Sequence, residues 1–366
     1  MESRFYWSNT VLETMWRSNA HMPAHPKPQL TQRPLVSVWI ITYKQEQYLP
    51  LAIDSALRQK TDFEFEIVIG EDCSPDKTRE VCLRYQKAHP DKIRLLLHED
   101  NQGLVRNFWE TLQLCRGKYV AQLEGDDLWT DPLKLQKQVD LLESRPDCAF
   151  SYHLFDHVDG DGQLIGEHKK PKTKEDIAQV CDTRMVIDAK WSPIQTLTLL
   201  FRRNAFTEMP EWIYKLPIFD WPLHFYLTRA GKGLYMNENM AAYRSHDNGV
   251  WSGTDHIKNS LRYYHFYDFI LKAHPGEYDE YMVPRIRFHT REMLEECLYN
   301  CNVRVTAHRF WLYLWHHLPN KVDWRLSVSV LLKVSEFAVS AMRITLGALR
   351  NTKCSKKSKS NNRSSS

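Results

Sequence analysis

From residue 34 onward, short apolar runs alternate with stripes of apolar residues at helical spacing. Val36-Ser37-Val38-Trp39-Ile40-Ile41 is almost continuously apolar, as a strand covered on both faces must be. Residues 48–59 place Leu49, Ile53, Ala56 and Leu57 on one side of a helix. The pattern then predicts a strand over 65–70, a helix over 76–89 opened by the Ser74-Pro75-Asp76 turn, and a strand over 93–97. A helix over 105–114 ends at Arg116-Gly117, and a strand over 118–123 follows. Beyond Pro132 the spacing predicts a helix over 134–145, a strand over 148–158 and a hairpin-type turn at Asp159-Gly160-Asp161-Gly162. That turn lacks the continuation a calcium loop requires. Residues 166–190 are polar and are expected to form a mobile loop, and from Asp255 the chain reads as helical and rich in aromatic residues.

A β-α-β-α-β-α-β order implies an α/β fold, a Rossmann-like, mostly parallel sheet with helices on both faces. Ligands of such sheets bind at the carboxyl ends of the strands. Three polar clusters fall there: Thr42-Tyr43-Lys44, Glu71-Asp72, and Glu124-Gly125-Asp126-Asp127. In the last, three carboxylates within four residues repel one another and resist burial. A solvated turn that caps the next helix relieves the repulsion. So does a hard divalent cation such as Mg²⁺ or Mn²⁺, which favours oxygen-only ligands.

A chain of 366 residues accommodates one catalytic domain plus a smaller appendage. The net charge of +4 is unevenly placed: after Trp324 stand nine basic residues and one acid, Glu336, so the remainder of the chain is net acidic. That distribution argues against nucleic-acid binding by the body. The eight cysteines are scattered without a CxxC pair, which fits a reducing cytosol better than a disulfide framework. No apolar signal-peptide core is expected in residues 1–19, and Lys333, Glu336 and Arg343 interrupt the most apolar stretch, residues 326–349. In that stretch Leu326, Val330, Val334, Phe337, Ala341 and Leu346 form an apolar stripe that precedes a Lys-rich tail. Such a helix either docks on the protein body or lies on an anionic membrane surface.

The strand-end motifs resemble those of family-2 glycosyltransferases with a GT-A nucleotide-sugar fold. The residues that carry the resemblance are Val36-Ser37-Val38 with Thr42-Tyr43, the run from Glu71 through Thr78, Asn101-Gln102-Gly103, Gly117-Lys118-Tyr119, Glu124-Gly125-Asp126-Asp127, Phe219-Asp220-Trp221, Gly231, and Tyr243-Arg244-Ser245-His246. They span about 60% of the chain. The implied organisation is an N-terminal extension (1–33), a catalytic domain (34–252), a C-terminal helical region (253–350) and a disordered basic tail (351–366).

The resemblance implies roles. Tyr43 would stack on the donor's base with Thr42 nearby, and Asp72 would accept a base N–H, which favours a UDP-sugar. Glu46, Asn107, Glu124, Asp126 and Arg244 would complete the donor site. Asp126, Asp127 and His246 would hold the divalent metal. Asp220 would be the general base that activates a hydroxyl acceptor, giving inversion at the transferred hexosyl group. Expected partners are a nucleotide-sugar donor and a glycan or lipid-linked acceptor in bacterial-type cell-surface polysaccharide or glycolipid assembly. The expected location is the cytoplasm, with peripheral attachment at the cytoplasmic face of the inner membrane. Departures from the family pattern are Lys44 for Asn, Glu71 and Glu124 each for Asp, and Phe219 for an acid. Alternatives are an inactive nucleotide-sugar- or carbohydrate-binding module, or a nucleotidyltransferase, although the segment after Val38 lacks that class's Gly-rich triphosphate loop.

Overall fold

A computed structural model describes residues 33–167, 180–188, 194–247, 249 and 256–299. The N-terminal extension, the apolar stripe and the basic tail lie outside them. Three parallel pairings form the first half of the sheet: β1 (Val36–Thr42) lies between β2 (Phe65–Glu71) and β4 (Tyr119–Glu124), and β3 (Ile93–Leu97) flanks β2. The intervening helices are α1 (Leu49–Leu57), α2 (Thr78–Ala88) and α3 (Leu104–Leu114), followed later by α4 (Lys134–Ser144). All seven residues of β1 are buried, which explains its unbroken apolar run. Val36, Val38 and Ile40 pack under α1, α2 and α4, while Trp39 and Ile41 face α3 on the other side. Helices therefore cover both faces, as the alternating pattern predicts.

The amino ends of these strands are tied by a buried carboxylate. Ser37 Oγ donates to Glu66 Oε1 (2.7 Å) and accepts the N–H groups of Arg116 (3.0 Å) and Gly117 (2.8 Å). Glu66 Oε2 accepts from Arg116 Nε (3.0 Å) and Nη2 (2.6 Å), with Arg94 Nη1 at 3.4 Å. Burial pushes the Glu66 carboxyl up, but its bonds from Arg116 and Ser37 outweigh that and hold it below the usual range. A Cβ on Gly117 would sit 2.5 Å from the Ser37 nitrogen, so only glycine fits at the turn into β4.

The second half of the sheet is predicted by local pattern only at the strand over 148–158 and the turn that follows it. Its strands are β5 (Leu128–Trp129), β6 (Cys148–Val158), β7 (Leu164–Glu167), β8 (Val180–Cys181), β9 (Leu200–Arg202) and β10 (Lys232–Arg244), giving the order β3-β2-β1-β4-β9-β6-β10-β5. β9 runs antiparallel between β4 and β6. β10 is a 13-residue strand parallel to β6, with register shifts that absorb its Asn- and Glu-containing middle. The hairpin turn is present between β6 and β7, with the Asp159 carboxylate accepting the N–H groups of Asp161 and Gln163. Within the stretch expected as a loop (166–190), β8 and α5 (Thr183–Asp188) form instead, because Cys181, Val186 and Ile187 are buried. α6 (Asp220–Ala230) then packs onto α7 (His256–Ala273), with Trp221 edge-on to Tyr263 at 4.6 Å and to Phe266 at 5.5 Å. α8 (Asp279–Tyr299) completes this aromatic cluster through Met282 and Ile286.

Replacing Glu66 by Ala should cost about 2–3 kcal/mol in urea unfolding, somewhat below a fully buried pair because both arginines reach solvent. Glu66 has a depressed folded pKa, so its contribution is present at neutral pH and is lost as pH falls through that value. The Ala variant should therefore show a flatter acid limb of stability.

Candidate active site

At the carboxyl end of the sheet, the loops after β1 and β2 are stitched together. Asp72 N donates to Thr42 O (3.2 Å), Lys44 N to Ser74 Oγ (3.0 Å) and Gln45 N to Thr78 Oγ1 (2.9 Å). Glu46 N donates to Asp76 Oδ2 (3.3 Å), and Glu46 Oε2 accepts from Lys77 N (2.7 Å). Lys44 and Cys73 both hold positive φ, 57° and 55°, at the sharp exits from their strands. The polar run from Ser74 to Thr78 thus cross-links two loops, and Glu46 is engaged there too. Glu71, buried, accepts from Arg79 Nε and Ser74 N, each at 2.6 Å. A glutamate at that position reaches an arginine one helix away.

The donor-side residues separate into those that face outward and those bound within the protein. Tyr43 is exposed beside Lys44, whose ammonium lies 5.1 Å from its ring. Thr42 is buried, and its hydroxyl has no protein partner. Asp72 accepts from the N–H groups of Gln102 (2.7 Å) and Gly103 (2.9 Å), which holds the turn into α3. Asn107 lies within the protein: its amide donates to Gly70 O (3.1 Å), and its oxygen meets His98 Nε2 (3.2 Å) and Thr111 Oγ1 (3.3 Å). Asn107, which the resemblance implied for the donor site, is buried, and these bonds tie it to β2, α3 and His98.

Glu124, Asp126 and Asp127 converge at the end of β4, with one oxygen of each within 4.8 Å of the others. Gly125 makes the tight turn possible: a Cβ there would lie 2.4 Å from Gln45 Oε1 and 2.9 Å from Thr42 Oγ1. Asp127 is buried, its Oδ1 accepts the Arg244 N–H (2.8 Å), and its Oδ2 has no hydrogen-bond partner. Burial first, then the charges of Asp126 and Glu124, push Asp127 well above the ordinary carboxylate range. Glu124 is partly open to solvent but crowded by protein atoms, and this desolvation, with Asp126 and Asp220 nearby, raises it to about 8. His246 Nε2 lies 3.0 Å from Asp126 Oδ2. An orphaned buried oxygen within the cluster of Glu124, Asp126 and Asp127 is a donor set that suits a hard divalent cation.

Asp220 begins α6, where backbone N–H groups point outward and favour a carboxylate. Burial raises its carboxyl to about 6, against the opposing pull of those N–H groups and of Arg262. It is near enough to Glu124 to raise that residue's pKa, so carboxylates from distant segments lie close together. Phe219, which the sequence resemblance set against an acid, is a packing anchor: it stacks on Phe108 at 4.8 Å and meets Trp39 edge-on at 5.9 Å. Tyr243, to which the sequence assigns no role beyond its motif, lies within the field of all four carboxylates, and burial foremost raises its hydroxyl. Its position in Tyr243-Arg244-Ser245-His246 was the available signal. Thr196 stands beside Glu124 and favours its charged form, with no sequence signal to mark it.

The profile of glycosyl transferase family 2 matches residues 37–229, just over half of the chain. The chain belongs to glycosyl transferase family 2. An uncharacterized protein of Mycobacterium bovis is 34% identical over 219 residues, covering 59% of this chain and 60% of that protein. An uncharacterized glycosyltransferase of Nostoc is 33% identical, over 58% of this chain and 65% of its own length. The match thus spans less than two thirds of these relatives. Among solved structures, a mannosyltransferase of Pyrobaculum calidifontis, in complex with GDP-Man and Mn²⁺, aligns over 91% of this chain and 95% of its own with a TM-score of 0.51 and 15% identity. At that identity the likeness concerns the fold, which is the GT-A type.

Protons and a cation compete for the same carboxylates. Glu124 has its folded pKa raised above the unfolded value, so the metal-free fold binds extra protons and loses stability as pH rises towards about 8. Added Mn²⁺ should therefore raise the melting temperature more at pH 8.5 than at pH 6. An equal shift at both values, measured by scanning fluorimetry, would contradict this electrostatic account.

Proposed function

We propose that this chain is an inverting, metal-assisted glycosyltransferase that moves a hexosyl group from a nucleoside-diphosphate donor to a hydroxyl acceptor. The observation that carries the reading is the meeting of Glu124, Asp126 and Asp127 at one strand end with Asp220 at the start of α6. A divalent metal held by Asp126, Asp127 and His246 would neutralise charge on the departing diphosphate. Asp220 accepts the proton of the acceptor hydroxyl as that oxygen attacks the anomeric carbon from the side opposite the leaving group. A carboxylate with a pKa near 6 is ionised at neutral pH and basic enough to take a proton in the transition state. A single base acting in line with the leaving group gives inversion.

Tyr43, exposed at the end of β1, offers its ring face to the donor's base, and Asp72 lies at the neighbouring strand end. A carboxylate has about four lone-pair sites, so the two backbone N–H groups on Asp72 leave capacity for a base N–H. This supports a UDP-sugar as donor. Assembly of cell-surface polysaccharide or glycolipid is the favoured setting. One relative, 29% identical over 60% of this chain, is a provisionally named teichuronic acid biosynthesis glycosyltransferase of Bacillus subtilis, TuaG. Among the described residues no helix is long and apolar enough to cross a membrane. Attachment to a membrane surface rests on the apolar stripe between Leu326 and Leu346 and the basic tail that follows.

Asp220→Asn should lower turnover at least 10²-fold while leaving UDP-sugar affinity within about threefold of wild type in calorimetry. The wild-type enzyme should lose kcat/KM as pH falls below about 6, because the base becomes protonated. Turnover retained by the Asn variant would remove Asp220 from the mechanism. A donor screen with UDP-, GDP- and dTDP-sugars, with and without Mn²⁺, tests the base preference and the metal together.

A further inference from the structure

Arg244 ends β10 and sits where three pieces of the site meet. Its main-chain N–H donates to Asp127 Oδ1 at 2.8 Å. Its Nε donates to the Asp126 carbonyl at 3.0 Å, and its Nη1 donates to the carbonyls of Asp159 (3.2 Å) and Gly160 (3.0 Å). The guanidinium also lies over the Tyr48 ring, 4.9 Å from its centroid. Tyr48 in turn packs against the His246 imidazole, with centroids 4.7 Å apart. The residue is only 3% exposed. Three main-chain carbonyls thus take the Nε and Nη1 donors and a tyrosine takes one face, which leaves the two Nη2 N–H groups for a further acceptor.

We propose that Arg244 is a positioning residue: it binds the Asp126–Asp127 turn, the Asp159–Gly160 turn and Tyr48 into one block, and thereby sets the spacing of Asp126, Asp127 and His246 for a divalent cation. The proposal rests on the metal-assisted reading above. It adds a structural task to the donor-site role that the sequence resemblance implied for Arg244. The local sequence accommodates the clamp. Gly160 brings its backbone close to the Tyr48 hydroxyl, where a Cβ would lie at 3.4 Å, and the space beside Gly162 is filled by Arg244 Nη1, 3.6 Å from where its Cβ would stand. Cross-linking by one planar fork makes the hairpin turn between β6 and β7 a wall of the metal site, although it supplies no ligand itself.

The test is Mn²⁺ binding by calorimetry in the absence of donor, on the full chain, at a temperature where circular dichroism shows every variant folded. Arg244→Met should weaken Mn²⁺ binding about tenfold. Arg244→Lys should weaken it nearly as much, because a single ammonium cannot span three carbonyls. Should the Arg244 variants not fold, Tyr48→Leu removes the surface beneath the guanidinium while leaving its hydrogen bonds, and should weaken Mn²⁺ binding several-fold. Wild-type affinity in Arg244→Lys would reduce the residue to a charge and overturn the clamp. Unchanged Mn²⁺ affinity in Arg244→Met or Tyr48→Leu would overturn it as well, most directly if Arg244→Met lost only UDP affinity. Absence of Mn²⁺ binding by the wild type would instead refute the metal-assisted reading, and this inference with it.

Discussion

Three carboxylates crowded at one strand end impose the constraint around which the rest of this site is arranged. Glu124, Asp126 and Asp127 cannot all carry charge in so little space unless protons, positive dipoles or a cation compensate. The protein supplies part of the compensation through the Arg244 N–H and guanidinium and through His246. It leaves Asp127 Oδ2 without a partner. An unfilled lone pair in a buried position is costly in a purely structural turn, whereas in a cation site it is a ligand held ready.

The opposite end of the sheet solves a similar problem in the other direction. Glu66 is also a buried carboxylate, but Ser37, Arg94 and Arg116 satisfy it fully and hold its pKa down. One end of the parallel strands is thus locked by a satisfied charge, and the other carries unsatisfied ones. The rigid end fixes the register of β1, β2 and β4, and register in turn fixes where Thr42, Glu71 and Glu124 emerge. Strand pairing therefore sets the geometry of the site before any site residue interacts with another.

Much of the first half of the molecule was legible because its signals are local. A strand buried on both faces is continuously apolar, and an amphipathic helix repeats every 3–4 residues, so β1 to β4 and α1 to α4 follow from spacing alone. Between residue 159 and the helical stretch that begins near Asp255, the local signal fails. β8 and β9 are two and three residues long, too short to show a period, and β10 has a polar middle accommodated by register shifts against β6. The stretch over 166–190 was polar on average, yet Cys181, Val186 and Ile187 found buried positions that averaging concealed.

The sequence by itself determined the α/β architecture and the clusters at the strand ends, since both depend on residues close together along the chain. Through short, ordered motifs that resemble family 2 it also pointed to Asp126, Asp127, Asp220 and His246 as candidates. Tertiary structure decided what each polar side chain does with its hydrogen bonds. Asn107 is spent on Gly70, His98 and Thr111, and Arg244 on three carbonyls from two other segments. Those partners lie up to 118 residues away, so no local window contains them. Burial then removed water as the alternative partner, and only the folded chain sets which groups are buried together.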